Sequence, residues 1–209
     1  MGESIKRSVD PYQDSYSPNG IIGEKDACGV GFIANVKGIA SNWILKQSLK
    51  GLNCMEHRGG CGGDSDSGDG AGILCSIPWE FLDQEMNIKD KQNLGRGLGM
   101  VFMPNKKEKI KECKSICEKE AEKLKVHKTS WRTVPVNYKI LGPLAKANAP
   151  FISQWILYID KKDKQDIEKL LFQLRKRIEK KIREIFKNHV GDCEFYFASL
   201  SSQTVVYKG

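Results

Sequence analysis

Apolar positions recur along the chain with two periods, and the switches between them mark out the elements. Residues 29–36, GVGFIANV, alternate small and apolar side chains as a buried strand does. Ser41 stands as an N-cap before a helix over 42–56, in which Leu45, Leu49, Leu52 and Met55 fall on one face. GILCSIP reads as the next strand, stopped by Pro78. Residues 94–104, LGRGLGMVFMP, predict a glycine-loosened stretch leading into a strand. A helix over 106–125 carries Ile110, Cys113, Cys117, Ala121 and Leu124 on one stripe. WRTVPVN and FISQWILYID read as strands, and 163–188 as a long amphipathic helix. CEFYFASL, a Ser-Ser-Gln turn and TVVYKG complete the pattern as a hairpin. Such a hairpin would leave its last strand with an open edge, which predicts a piece of something longer. There is no internal repeat.

Residues 1–27 lack either period. They are polar and turn-rich, with three Lys/Arg against five Asp/Glu, and read as a leader ahead of a domain spanning 28–209. At 209 residues, 40% hydrophobic and 29% charged, the composition is that of a globular domain with a real core. No apolar run approaches the ~18 residues of a membrane span. The start has no apolar signal core, and Glu3, Asp10 and Asp14 disfavour an acid-poor transit peptide. Seven cysteines, an odd count without a secreted-style framework, read as thiols in a reducing compartment. Cys75, Cys113 and Cys117 look like core. The formal charge of +8 sits largely in two Lys-rich helices with interleaved acids, a pattern of solvated helix faces rather than of a nucleic-acid stripe.

Between the first helix and GILCSIP runs a glycine-rich loop, HRGGCGGDSDSGDGAG. A phosphate-cradling loop needs Lys-Ser/Thr after its last glycine, but Gly72 is followed by Ile73 and Leu74. A dinucleotide loop should leave a strand and open a helix; this one does the reverse. DSDSGDG imitates a calcium loop, yet Asp69 takes the position of the required glycine and Cys75 that of the closing Glu. Zinc lacks any Cys-x-x-Cys pair. Taken alone, the loop reads as glycines and short acids that let a chain turn tightly.

Two segments taken together point further. ACGVGFIAN followed by CMEHRGGCGGDSDSGDGAGILCSIPW closely resembles the amidotransferase domain of glutamate synthases, most strongly the ferredoxin-dependent form. More widely, a Cys-Gly opening and a helix ending in Arg-Gly is similar to the class II glutamine amidotransferases. The close match covers 28–80; beyond it only SLSSQTVVYKG agrees, and loosely. The resemblance implies an α+β fold, the N-terminal-nucleophile hydrolase αββα sandwich, incomplete in this chain. It implies cleavage between Ala27 and Cys28, so that Cys28 becomes the first residue and the catalytic nucleophile. It also implies that Arg58 and Gly59 orient that nucleophile, the guanidinium holding the Cys28 backbone and the glycine allowing close approach.

An internal thiol has a pKa of about 8.5 and is mostly protonated at neutral pH. An α-amine on the same residue, with a pKa of about 8, can accept the thiol proton and return it to leaving ammonia. Nucleophile and base are then one residue. The competing reading of Cys28 is a small buried residue leading a strand, and that of Arg58 a cation offsetting a helix dipole. His57 stays a motif neighbour, and Cys54 and Cys61 default to structural roles.

The family's oxyanion donors come from an Asn-Gly pair downstream of the nucleophile, whereas the one pair here, Asn19-Gly20, lies in the leader. Little glutaminase activity is therefore expected of this chain alone. No cofactor is expected within it; FMN and an iron–sulfur cluster are implied for the full-length family enzyme. The implied partners are L-glutamine, the FMN-binding synthase domain and ferredoxin, with neither nucleic acid nor membrane. The implied location is a plastid stroma, or a cytoplasm if the chain is not plastid-encoded. A non-catalytic docking or regulatory module of the same fold is the competing expectation.

Overall fold

Two strands hold the centre because their sequences are apolar on both faces, as strands covered on both sides must be. They are β2 (Gly95–Met103) and β4 (Phe151–Ile159), antiparallel neighbours from Gly95↔Ile159 to Met103↔Phe151. The computed structural model describes residues 29–55, 67–68, 70–88, 94–160, 163–186 and 195–209. Shorter strands flank the central pair: β3 (Lys128–Thr133) lies against β4 and β5 (Tyr196–Ser201) against β2, giving the order β3-β4-β2-β5. A second, two-stranded sheet pairs β1 (Gly72–Ser76) with β6 (Thr204–Lys208). The class is α+β, as expected, and both sheets are antiparallel.

Strand alternation sends side chains to two separate cores. Val101, Met103, Trp155, Leu157, Ile159 and Phe197 face α3 (Lys107–Lys123) and α5 (Lys164–Ile185). Leu98, Met100, Phe102 and Ile156 face Ile77, Leu82 and Val205, on the side of β1, β6 and α2 (Trp79–Glu85). On α5, Ile167, Leu170, Leu171, Leu174, Ile178 and Ile182 are buried at helical spacing. Full burial of each of Leu171, Leu174 and Ile178 contributes about 1.5–3 kcal/mol. Asp163 caps this helix, its Oδ1 accepting from the backbone N–H groups of Gln165 and Asp166 at 2.9 and 3.1 Å. The polar faces carry ion pairs: Arg177 reaches Glu120 across the helix pair at 3.0 Å, and Arg175 pairs with Glu179 at 2.7 Å.

Both long helices lie where the periodicity puts them, each slightly shorter at its ends. Cys113 and Cys117 are core as expected, while Cys75 is half-buried. The first helix forms as α1 (Asn42–Cys54), with the Ser41 hydroxyl accepting from Ile44 N–H at 3.4 Å. It buries none of its residues.

Three strand expectations are corrected. GVGFIANV is neither a strand nor buried: Val30, Phe32 and Val36 are 90%, 95% and 103% exposed. Alternation fits a chain to a pleated surface, but a strand also needs a neighbour's backbone, and none of the described residues pairs with it. The glycine-loosened stretch is strand from Gly95 onward, because Gly97 and Gly99 admit close neighbours rather than loosening the chain. The C-terminal hairpin does not form. β5 pairs with β2 and β6 with β1, so the chain changes sheets at the Ser-Ser-Gln turn. Glu168 of α5 holds that turn: its Oε1 accepts from Ser202 N–H and from the hydroxyls of Ser202 and Ser201, at 2.7, 2.7 and 2.9 Å. In place of a ladder between β5 and β6, Val206 N–H donates to Ser199 Oγ at 3.0 Å.

Candidate functional site

The two halves of the motif fall outside the described residues: Cys28 on one side, and residues 56–66, with His57, Arg58, Gly59 and Cys61, on the other. The described residues form the frame that leads into and out of them. After Cys28 the backbone runs exposed through 29–36 into a turn, where Asn35 Oδ1 accepts from Lys37 N–H at 2.8 Å and Gly38 N–H donates to Asn35 C=O at 2.9 Å. It then enters α1, which packs against β1 and ends at the exposed Cys54.

The exit from the glycine-rich loop is anchored twice. Ser67 is buried, and its hydroxyl accepts from Ala145 N–H at 3.1 Å, joining the loop to α4 (Pro143–Ala147). Ala71 and Gly209 then exchange both backbone hydrogen bonds, at 2.9 and 3.0 Å. Gly70 makes this possible. Its φ is +86°, and a Cβ there would stand 2.3 Å from the Gly209 carbonyl oxygen. The loop thus feeds directly into the β1–β6 ladder.

Burial acts on a thiol and a phenol of this ladder and on a thiol of the opposite core. Burial pushes the Cys75 thiol up, and pushes Cys117 well up. Tyr207, opposite Ile73 in the ladder, is also raised by burial, with a hydrogen bond from Gln154 pulling the other way. Among the described residues, no three His, Cys, Asp or Glu side chains are grouped to hold a metal ion. No helix among them is long and apolar enough to cross a membrane.

A polar chain running from the buried Gln154 out to the surface escaped the sequence reading. Gln154 in β4 donates from Nε2 to Tyr207 Oη at 3.1 Å and accepts at Oε1 from Arg132 Nη1 at 3.0 Å. Arg132 also donates from Nη2 to Glu85 Oε2 at 2.8 Å. The available signal was a glutamine inside FISQWILYI, but its partners lie 22 and 53 residues away and have no local signature. Nearby, Arg96 pairs with the buried Asp83 at 2.6 Å and lies 4.2 Å over the Trp79 ring, fixing α2 to β2.

Comparison with known proteins adds what the frame lacks. The family model for glutamine amidotransferases class-II matches residues 28–209. The chain is 44% identical over 193 residues to ferredoxin-dependent glutamate synthase 1, chloroplastic/mitochondrial, of Arabidopsis thaliana, covering 90% of this chain. It is 44% identical over 189 residues to the ferredoxin-dependent glutamate synthase of Pyropia yezoensis, covering 89%. To the glutamate synthase [NADPH] large chain of Bacillus subtilis (strain 168) it is 40% identical over 195 residues, again covering 89%. In each case the matched region spans 12% of the relative's length.

Proposed function

The chain belongs to the class II glutamine amidotransferases, and on that premise we propose that it is the glutaminase part of a glutamate synthase, with Cys28 as its nucleophile. The observation that carries this reading is a coincidence of position. The family match begins at Cys28, the residue that the Cys-Gly motif singles out. On this reading residues 1–27 are a leader removed by cleavage, and 28–209 are part of the amidotransferase domain.

The chemistry follows from placing an amine and a thiol on one residue. The α-amine of Cys28 takes the thiol proton as sulfur bonds to the side-chain carbonyl carbon of L-glutamine. The C–N bond of the tetrahedral adduct breaks, the amine returns the proton to the departing nitrogen, and ammonia leaves a γ-glutamyl thioester. Water, deprotonated by the same amine, attacks the thioester and releases glutamate and the thiol. On this reading the Arg58 guanidinium would hold the Cys28 backbone in place and Gly59 would let the chains approach closely. Oxyanion donors would come from an Asn-Gly pair that residues 81–209 do not contain, so this chain alone turns over little glutamine.

The order of layers fits an αββα sandwich. Helices α3 and α5 cover the four-stranded sheet, the β1–β6 sheet packs on its other face, and α1 lies against β1. The ammonia would serve glutamate formation from 2-oxoglutarate in the rest of such an enzyme, which would hold FMN and an iron–sulfur cluster and draw electrons from ferredoxin. The names of the plant relatives favour a plastid.

Protein from its native source provides the test. Its N-terminus is expected to be Cys28, and an electrophilic glutamine analogue is expected to modify that residue, with no modification in a Cys28→Ser variant. A native protein that retains Met1–Ala27 and still hydrolyses glutamine would overturn the mechanism. A processed protein that the analogue never modifies would favour the docking module.

A further inference from the structure

We infer that Gln154 is a positioning residue that fixes the β1–β6 layer on the four-stranded sheet, acting through Tyr207 on one side and Arg132 on the other. The apolar contacts between these layers, Ile77, Leu82 and Val205 against Leu98, Met100 and Ile156, exclude water but are not directional. They leave the small sheet some freedom to slide. The Gln154 amide opposes it, beside the hydrogen bond from Val206 N–H to Ser199 Oγ. The side chain is fully buried, and it is bonded at both ends, to Tyr207 Oη at 3.1 Å and from Arg132 Nη1 at 3.0 Å.

Its two partners bracket the same layer. Tyr207 belongs to β6, and Arg132 continues to Glu85 at the end of α2, which begins three residues after β1 ends. If β6 slips by one residue, side-chain alternation turns Tyr207 away and leaves a buried amide without its acceptor. The Ala71–Gly209 pair extends the same ladder to the exit of the glycine-rich loop. A consequence for Cys28 chemistry rests on the amidotransferase reading; the positioning itself does not.

Hydrogen exchange on the full chain tests the positioning. In Gln154→Met, amides of 73–76 and 204–208 are expected to exchange about 5- to 100-fold faster, while the protected amides of β2, β4 and α5 keep their rates. Gln154→Glu still accepts from Arg132 and can accept the Tyr207 hydroxyl proton, so it should restore slow exchange. Tyr207→Phe keeps the β4 side chain and should loosen the same amides; it carries the test if Gln154→Met does not fold. Unchanged exchange in Tyr207→Phe, a uniform rise across all strands, or no rescue by glutamate would each overturn the inference. In the native full-length enzyme, Gln154→Met should also slow modification of Cys28 by the glutamine analogue. Absence of that modification in wild type would count against the amidotransferase reading and leave the exchange result standing.

Discussion

Gly97 of β2 lies directly beneath Leu171 of α5: a methyl group at Gly97 would stand 2.9 Å from both Leu171 methyl carbons. Leu171 is fully buried and has nowhere to retreat. The glycine is therefore a packing choice that lets the helix approach the sheet. Gly97→Ala is expected to destabilise the fold by about 1–3 kcal/mol in urea titration. Leu171→Ala alone should cost about 2–5 kcal/mol. In the double variant the added methyl enters space that the Leu171 isopropyl group vacates, so its cost should fall below the sum of the single ones.

Glu168 accepts three hydrogen bonds at the turn where the chain leaves one sheet for the other. Glu168→Ala leaves the Ser202 N–H and two hydroxyls without that acceptor, for a loss of about 1–3 kcal/mol. Glu168→Gln keeps an acceptor oxygen and should recover part of it. Chemical denaturation of the three proteins gives the comparison.

Acid should weaken the α3–α5 contact. The Lys123 hydrogen bond, aided by Arg177, holds the Glu120 carboxyl below its ordinary 4.5, against burial, which pushes it up. A depressed carboxyl stabilises the fold above its unfolded pKa and loses that contribution as pH falls through the folded value. Stability measured from pH 6 downward should therefore start to fall near 4.5 in wild type, and fall less steeply in Glu120→Gln.

Alkali acts in the same sense through other groups. Burial raises Cys117 and Cys75 from 9.0, and Tyr158 and Tyr207 from 10.0. Groups raised on folding stabilise the protein fully below their unfolded pKa and lose that effect as pH rises through the folded one. Urea midpoints should decline from about pH 9 upward. Cys117→Ala and Tyr207→Phe should each flatten part of the decline, whatever their effect at neutral pH.

A thiol-alkylating reagent at neutral pH reads the same burial as a rate. The thiolate is the reacting form, and Cys117 is both buried and shifted away from it. Native protein should be alkylated at the exposed Cys54 well before Cys113 or Cys117. In urea the difference should disappear. Fast native modification of Cys117 would contradict the packing of α3 on the sheet.

Whatever depends on near neighbours could be read from the residues alone. The spacing along 163–188 made an amphipathic helix whichever surface it met, Ser41 capped its helix locally, and Pro78 stopped its strand. The Cys28 and Arg58-Gly59 motif was picked out by its resemblance to a family, not by local spacing, and its geometry lies outside the described residues. Long-range contacts set the rest: β5 and β6 enter different sheets, 29–36 stays exposed, and Gln154 meets Tyr207 and Arg132. Period fixes which side of a strand is apolar. Strand pairing and the partners of a buried amide are set by contacts between residues far apart in the chain, and no local pattern encodes them.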